Sequence, residues 1–391
     1  MWNIDLSDIE YLTAAMERLY EKKALLAKGR PLPAGVLSKI KEGLALEWTY
    51  NSNSIEGNTL SLRETQMVIQ EGITIKGKSL REHFETHNHD KAIDYLYSIV
   101  GENYVLRSTD ILNLHQLVLR SIEDDFAGRI RNGGVRITGA NFVPPSANKV
   151  SALLDELIDF VNQNPLGLND IALATIFHHK LVWIHPFFDG NGRTVRLAMN
   201  LLLMRKGFPP AIILKNDRKK YYEALNHANN GDYQKLTLLM AQALERSLNI
   251  YLNALPNTNE EDEYMEISSL VEEPAVPYGQ EYISLLARQG KIDAYKEGRN
   301  WLTTKKAIED YKLFVAYRDS LNNEETEKKS IQVSMQYEFD KKEIATKAYQ
   351  EKLNAIYQEE KQKQQIVILI VVGVLILVML FAVFMFNRYK V

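Results

Sequence analysis

The sequence predicts an all-α protein: a helical bundle with one β-hairpin, then a small helix-turn-helix-like unit, a long charged helix and a membrane-spanning helix. Three observations point there. Residues 1–255 repeat apolar positions at helical spacing between short polar breaks. One glycine-rich stretch alternates apolar and polar residues instead, as a hairpin does. Finally, Ile366 to Phe386 is an unbroken run of 21 apolar residues, which at about 1.5 Å per residue spans roughly 30 Å, the hydrocarbon thickness of a bilayer.

Composition narrows the function classes. The 391 residues suffice for more than one domain. With 47 basic against 50 acidic residues, the chain does not read as an electrostatic binder of nucleic acid or anionic membranes. The absence of cysteine rules out a disulfide framework, a thiolate metal site and a Cys nucleophile.

Taken in order, residues 1–107 form an N-terminal helical region. Leu12, Met16, Leu19 and Tyr20 share one helix face, and Leu37 to Tyr50 is a second helical run that Gly57 caps. Residues 108–255 carry further helices, marked by Ile111, Leu114, Leu117 and Val118 and by Leu153, Leu154, Leu157, Ile158 and Val161. Residues 256–276 hold seven acidic residues and no basic one, the composition of a linker. Residues 277–318 read helix, turn, short hairpin and Thr-capped helix, and the unit is similar to excisionase or MerR-type helix-turn-helix modules. There Arg288, Lys291, Lys296 and Arg299 are the phosphate-contact candidates. Seven basic against five acidic residues over 277–312 is a weak footprint for DNA, so a protein-interaction role is favoured. Residues 319–365 form a charged juxtamembrane helix whose imperfect heptads leave homo-oligomerisation open.

The span at 366–386 ends in Asn387-Arg388-Tyr389-Lys390-Val391, suited to a headgroup boundary. The N-terminus lacks the basic lead and apolar core of a signal peptide. The expected topology is a single-pass tail anchor in the lipid bilayer with the folded part in the cytoplasm. The helix-plus-span resembles that of bacterial membrane sensors, which points to a bacterial inner membrane.

Chemistry concentrates between Ile184 and Arg196, in a short turn that opens a helix. Gly190 and Gly192 permit unusual backbone angles, so successive N–H groups can face one concavity, with Asn191 between them. The following helix presents its positive end there. Arg193 and Arg196, three residues apart, share a face at that end. Cations so placed oppose the helix dipole unless an anion is bound, and polyphosphate is the natural candidate. Asp189 supplies a hard oxygen for the Mg²⁺ that accompanies phosphates. His185 can act as a general base near neutral pH. His178 and His179, on an apolar helix, read as packing.

The pattern His-Pro-Phe-x-Asp-Gly-Asn-Gly-Arg-x-x-Arg, His185 to Arg196, resembles the Fic-family signature at every defined position. The resemblance implies a Fic fold and transfer of AMP from ATP to a protein hydroxyl. It makes His185 the base for a Ser, Thr or Tyr of the target protein and Asp189 the Mg²⁺ ligand. Gly190, Asn191 and Gly192 would cradle the phosphates, with Arg193 and Arg196 on the outer ones. The alternating stretch around Val135, Arg136, Ile137, Thr138, Gly139, Ala140, Asn141 and Phe142 resembles the family's target-binding flap, which adds a strand to an extended substrate. Ser52 to Gly57 resembles the inhibitory motif of class II members, in which Glu56 pairs with Arg196 and holds ATP unproductively. Tyr221, Tyr222 and Asn229 match positions that line the family's nucleoside pocket. The alternatives are removal of AMP, with Glu56 orienting water, and a membrane-tethered DNA-binding regulator that senses nucleotide. The resemblance covers about residues 35–250.

Overall fold

A computed structural model describes residues 12–29, 32–101, 104–137, 139–140, 142–255, 263–272, 276–313 and 315. The juxtamembrane helix expected at 319–365 and the span expected at 366–386 lie outside these residues, as do Thr138 and Asn141. Among the described residues no helix is long and apolar enough to cross a membrane. The chain divides into two units, 1–312 and 313–391, and the fold below is that of the first.

Among the described residues, ten helices precede the acidic stretch: α1 (Thr13–Lys28), α2 (Ala34–Ile55), α3 (Leu62–Glu71), α4 (Leu80–Ile99), α5 (Ser108–Leu119), α6 (Ala147–Gln163), α7 (Asp170–Ile184), α8 (Asn191–Arg205), α9 (Arg218–Ala228) and α10 (Gln234–Leu252). Local sequence starts several of them. Ser61 and Ser79 each form a capping box, with Glu64 and Glu82 respectively, and Asn169 accepts the Ile171 and Ala172 N–H groups. Helix α7 is apolar around its circumference, so it is buried on nearly every side, and α8 packs along it. Trp48, Ile55, Leu96, Ile111, Phe177, Phe187 and Val195 join one continuous core around this pair. The turn between α7 and α8 is therefore anchored by the most buried part of the molecule.

A small antiparallel sheet departs from the expected all-α class. It comprises β1 (Met265–Glu266), β2 (Ala294–Glu297) and β3 (Asn300–Thr303), in the order β1-β3-β2, with the short helix α11 (Ile267–Leu270) and with α12 (Gln280–Arg288) beside it. Residues 305–312 are helical, and Thr304 Oγ1 accepts the Ala307 N–H at 3.0 Å. This segment is not set apart from the helices before it, because buried charges tie the two together. Arg18 donates twice to Glu245 on α10 (2.7 and 3.1 Å), and Lys22 donates to Glu245 (2.9 Å), Asn249 (2.8 Å) and Asp293 (2.5 Å). Tyr264 completes the cluster by donating to Asp293 at 2.7 Å. Lys296 on β2, a phosphate-contact candidate, is spent on Asp217 at 2.8 Å.

The hairpin expected around residues 128–145 also differs. The described residues 129–146 form no strand ladder. They run without regular structure around a turn in which Gly139, at φ 80°, stands third and the Ala140 N–H donates to the Ile137 carbonyl at 3.3 Å. The alternation is there in the sequence, but no second strand is seated against it.

Candidate active site

Pro186 cannot continue α7, and the chain leaves the helix through His185 itself, which takes the left-handed conformation at φ 50°, ψ 62°. A non-glycine residue there is strained, and such strain persists only where the surroundings over-determine it. Arg131 supplies much of that constraint. Its buried guanidinium donates to the carbonyls of His185 (2.7 Å), Gly133 (2.9 Å) and Pro145 (2.5 Å), and its own N–H donates to Pro186 O at 2.9 Å. His185 Nδ1 lies 3.3 Å from the Val182 carbonyl. A carbonyl only accepts, so Nδ1 carries the proton and Nε2 keeps its lone pair. Burial, with the charge of Arg131 beside it, pushes the His185 pKa down to about 4. The imidazole is thus neutral at physiological pH.

Gly190, at φ 73°, caps the start of α8. Arg193 and Arg196 follow in its first two turns, each with a side chain only 3 % exposed. Arg196 is wrapped by the end of α2: Nε donates to Ser52 Oγ (3.0 Å), Nη2 donates to Ser52 O (2.8 Å), and Nη2 pairs with Glu56 Oε1 at 2.8 Å. Burial works against the Arg196 charge, yet the Glu56 carboxylate holds its pKa above the ordinary arginine value. Glu56 itself caps the C-terminus of α2, where a carboxylate opposes the dipole, and it reaches across to the positive end of α8. It comes so close that a Cβ at Gly192 would run into it. Two buried nitrogens, Arg193 Nε and Arg196 Nη1, have no hydrogen-bond acceptor among the described residues, while Arg193 Nη1 is ion-paired with Glu85.

These groups face a cavity of about 440 Å³, the size of a small-ligand site. Glu56, His185, Asn191, Gly192 and Arg196 form its floor, Tyr221, Tyr222 and Asn229 one wall, and Ile137, Gly139, Ala140 and Phe142 the other. Phe142 stacks on Trp183 at 6.4 Å between ring centroids. Tyr221 is buried with its hydroxyl 3.1 Å from His178 Nε2, whereas Tyr222 is exposed beneath the Arg218 guanidinium. Of the expected flap, Val135 and Arg136 do not line the cavity.

The Fic/DOC family profile matches residues 105–203. A curated relative, "Protein adenylyltransferase Fic" of Nematostella vectensis, is 38% identical over 242 residues, 61% of this chain and 55% of that protein. The protein of the same name in Culex quinquefasciatus is 37% identical over 238 residues, 60% of this chain and 47% of the relative. The chain therefore spans about half the length of the curated relatives it matches. A solved Fic-1 fragment from Caenorhabditis elegans superposes with a TM-score of 0.56 at 34% identity, covering 62% of this chain and 71% of the fragment. The chain belongs to the Fic/DOC family.

Not every Fic signature residue turns its side chain to the cavity. The Asn191 amide is used up on one neighbour, accepting from Phe187 N (3.0 Å) and donating to Phe187 O (2.8 Å), so it fixes the loop. Phe187 is buried and stacks on His115 at 3.6 Å. Arg193 lies behind the floor, 3.2 Å from Glu85 on α4. Asp189 Oδ1 accepts the Gly190 N–H at 2.6 Å, and Oδ2 pairs with Arg81. Its side chain is 39 % exposed and does not line the cavity; its carboxylate is the hard oxygen donor that a divalent cation takes. Among the described residues no group of three His, Asp or Glu side chains could hold a metal alone.

Four residues of this Fic site escape sequence reasoning. Arg131, Arg81 and Glu85 enter through tertiary contacts that no local pattern announces. His179, taken above as packing, lines the cavity: its Nε2 is 2.9 Å from Asn229 Oδ1 and its Nδ1 is 2.9 Å from the Tyr233 hydroxyl. Burial lowers its pKa to about 4. It therefore acts as a neutral donor that sets the Asn229 amide.

Proposed function

We propose that the chain is an autoinhibited protein adenylyltransferase that moves AMP from ATP onto a Ser, Thr or Tyr hydroxyl of a protein target. The observation that supports this reading best is the Glu56 carboxylate lodged against Gly192 and Arg196, an anion at the start of α8 in the same cavity as His185. The name borne by the relatives agrees with it.

In the reaction, the target oxygen attacks the α-phosphorus while its proton passes to His185 Nε2. The bond from the α-phosphorus to the bridging oxygen breaks, and pyrophosphate leaves. The N–H groups at the start of α8 and the buried arginines hold the negative charge that builds there. Asp189 would hold a divalent cation, which would neutralise phosphate charge when bound. The segment around the Gly139 turn, which resembles the family's flap, would give the target backbone an edge to lie along. In the restrained state Glu56 occupies Arg196, so the outer phosphates lose their partner and ATP is turned away from attack. The apolar stretch 366–386 supports a membrane tether for this unit.

The test uses ATP labelled at the α-phosphate, with Mg²⁺. The Glu56→Gly chain should incorporate label into protein, and the Glu56→Gly/His185→Ala chain should not. Equal labelling of the two would overturn the reading.

A further inference from the structure

Arg81 lies in the first turn of α4, where a cation opposes the helix dipole. It is kept there by three carboxylates. Nε donates to Glu85 Oε1 at 3.3 Å, Nη1 donates to Glu123 Oε1 at 3.3 Å, and Nη2 sits on Asp189 Oδ2. Asp189 Oδ2 is the same atom that would face a metal, because Oδ1 is held by the Gly190 N–H. A divalent cation at Oδ2, with ligand distances of about 2.1 Å for Mg²⁺, would overlap the volume and oppose the charge of the guanidinium. Arg193 also approaches this oxygen, at 3.8 Å, but its side chain is 3 % exposed and cannot withdraw. Arg81 is 48 % exposed and can.

We infer that Arg81 is a displaceable internal cation standing in the metal's place, so that a divalent cation gains Asp189 only as the guanidinium leaves. The proposal rests on the nucleotidyl-transfer reading for the phosphates that share the metal. Its consequence is a chain whose metal affinity is set by a residue that is no ligand. Because ion pairs this exposed are weak, removing Arg81 tightens the metal by about two- to fivefold and not by orders of magnitude.

The experiment measures Mn²⁺ binding to the full chain with a non-hydrolysable ATP analogue, following free Mn²⁺ by electron paramagnetic resonance. Arg81→Ala and Arg81→Gln should both lower the Mn²⁺ Kd by about two- to fivefold. Asp189→Asn should raise it more than tenfold, and Arg81→Ala added to Asp189→Asn should recover nothing. An unchanged Kd in Arg81→Ala, with Asp189→Asn still impaired, overturns the proposal and leaves the nucleotide reading intact. So does a loss of analogue binding by Arg81→Ala in EDTA, which would make Arg81 a phosphate ligand. A Glu56→Gly chain that takes no analogue at all brings down the nucleotidyl-transfer reading and the proposal with it.

Discussion

The cluster around Glu245 and the cluster around Arg196 are built from the same ingredients and do opposite things. Each sets two buried cations against carboxylates. At Glu245 the acid is buried as deeply as its partners, at 4 % exposure. Arg18, Lys22 and Tyr264 donate to Glu245, Asn249 and Asp293, and the Asn249 Nδ2 is a donor there without an acceptor among the described residues. At Arg196 the cations are buried, but the acid that covers Arg196 is 33 % exposed, and Arg193 Nε and Arg196 Nη1 lack an acceptor among the described residues. A cluster with both signs fixed is a joint. One with fixed cations and a removable anion is an anion site with a stopper in it.

The sharpest way to break this contrast is at the joint. Glu245→Ala leaves Arg18 and Lys22 buried without their shared partner and should cost about 3–5 kcal/mol in denaturant unfolding. A loss under about 1 kcal/mol would mean the cluster holds nothing together.

Acid comes next, and it acts on the site side. Burial lowers the pKa of His115, His179 and His185 to about 4 and holds those of His89 and His178 well below the ordinary histidine value. The unfolded chain takes up these protons near the ordinary histidine value of about 6.5, whereas the folded chain refuses them until near pH 4. Their contribution to stability is therefore complete above about pH 6.5 and is lost as pH falls toward 4. Unfolding midpoints measured between these limits should drop with proton uptake exceeding one; a flat profile would show these histidines to be solvated.

Lys296→Ala removes a single charged hydrogen bond between β2 and Asp217 and should cost about 1–2 kcal/mol. The smallest stability change belongs to the stopper. Glu56→Gln gives up a part-exposed ion pair but relieves an acid at the C-terminus of α2, so thermal unfolding should shift by less than about 1 kcal/mol in either direction. A loss above 2 kcal/mol would make Glu56 a structural member and erase the distinction between the two clusters.

The parts of the site that were legible in the sequence are contiguous. His185 through Arg196 compresses a base, an acid, a glycine turn and two arginines into one stretch, and a helix start follows from its own residues. Glu56 was legible as an acid misplaced at a helix end. Arg131, Arg81, Glu85 and His179 were not, because burial and distant pairing give each its role, and periodicity carries neither. The flap shows the converse limit: alternation reports that a segment is able to extend, while a ladder needs a partner strand that its own residues do not specify. The sheet of β1, β2 and β3 was half visible for the same reason. The β2–β3 hairpin is local, whereas β1 joins β3 from 36 to 38 positions away.

On the proposed reading, a single hydrogen atom at Gly192, where any other residue would carry carbon, lets a carboxylate and a phosphate contend for one volume. Dissolved salt screens charge over about 8 Å at physiological ionic strength, but it does not shrink atoms. A latch made of attraction alone would loosen as ionic strength rises. One that also works by exclusion holds its off state in dilute and concentrated salt alike, and yields only to a change of shape at the end of α2.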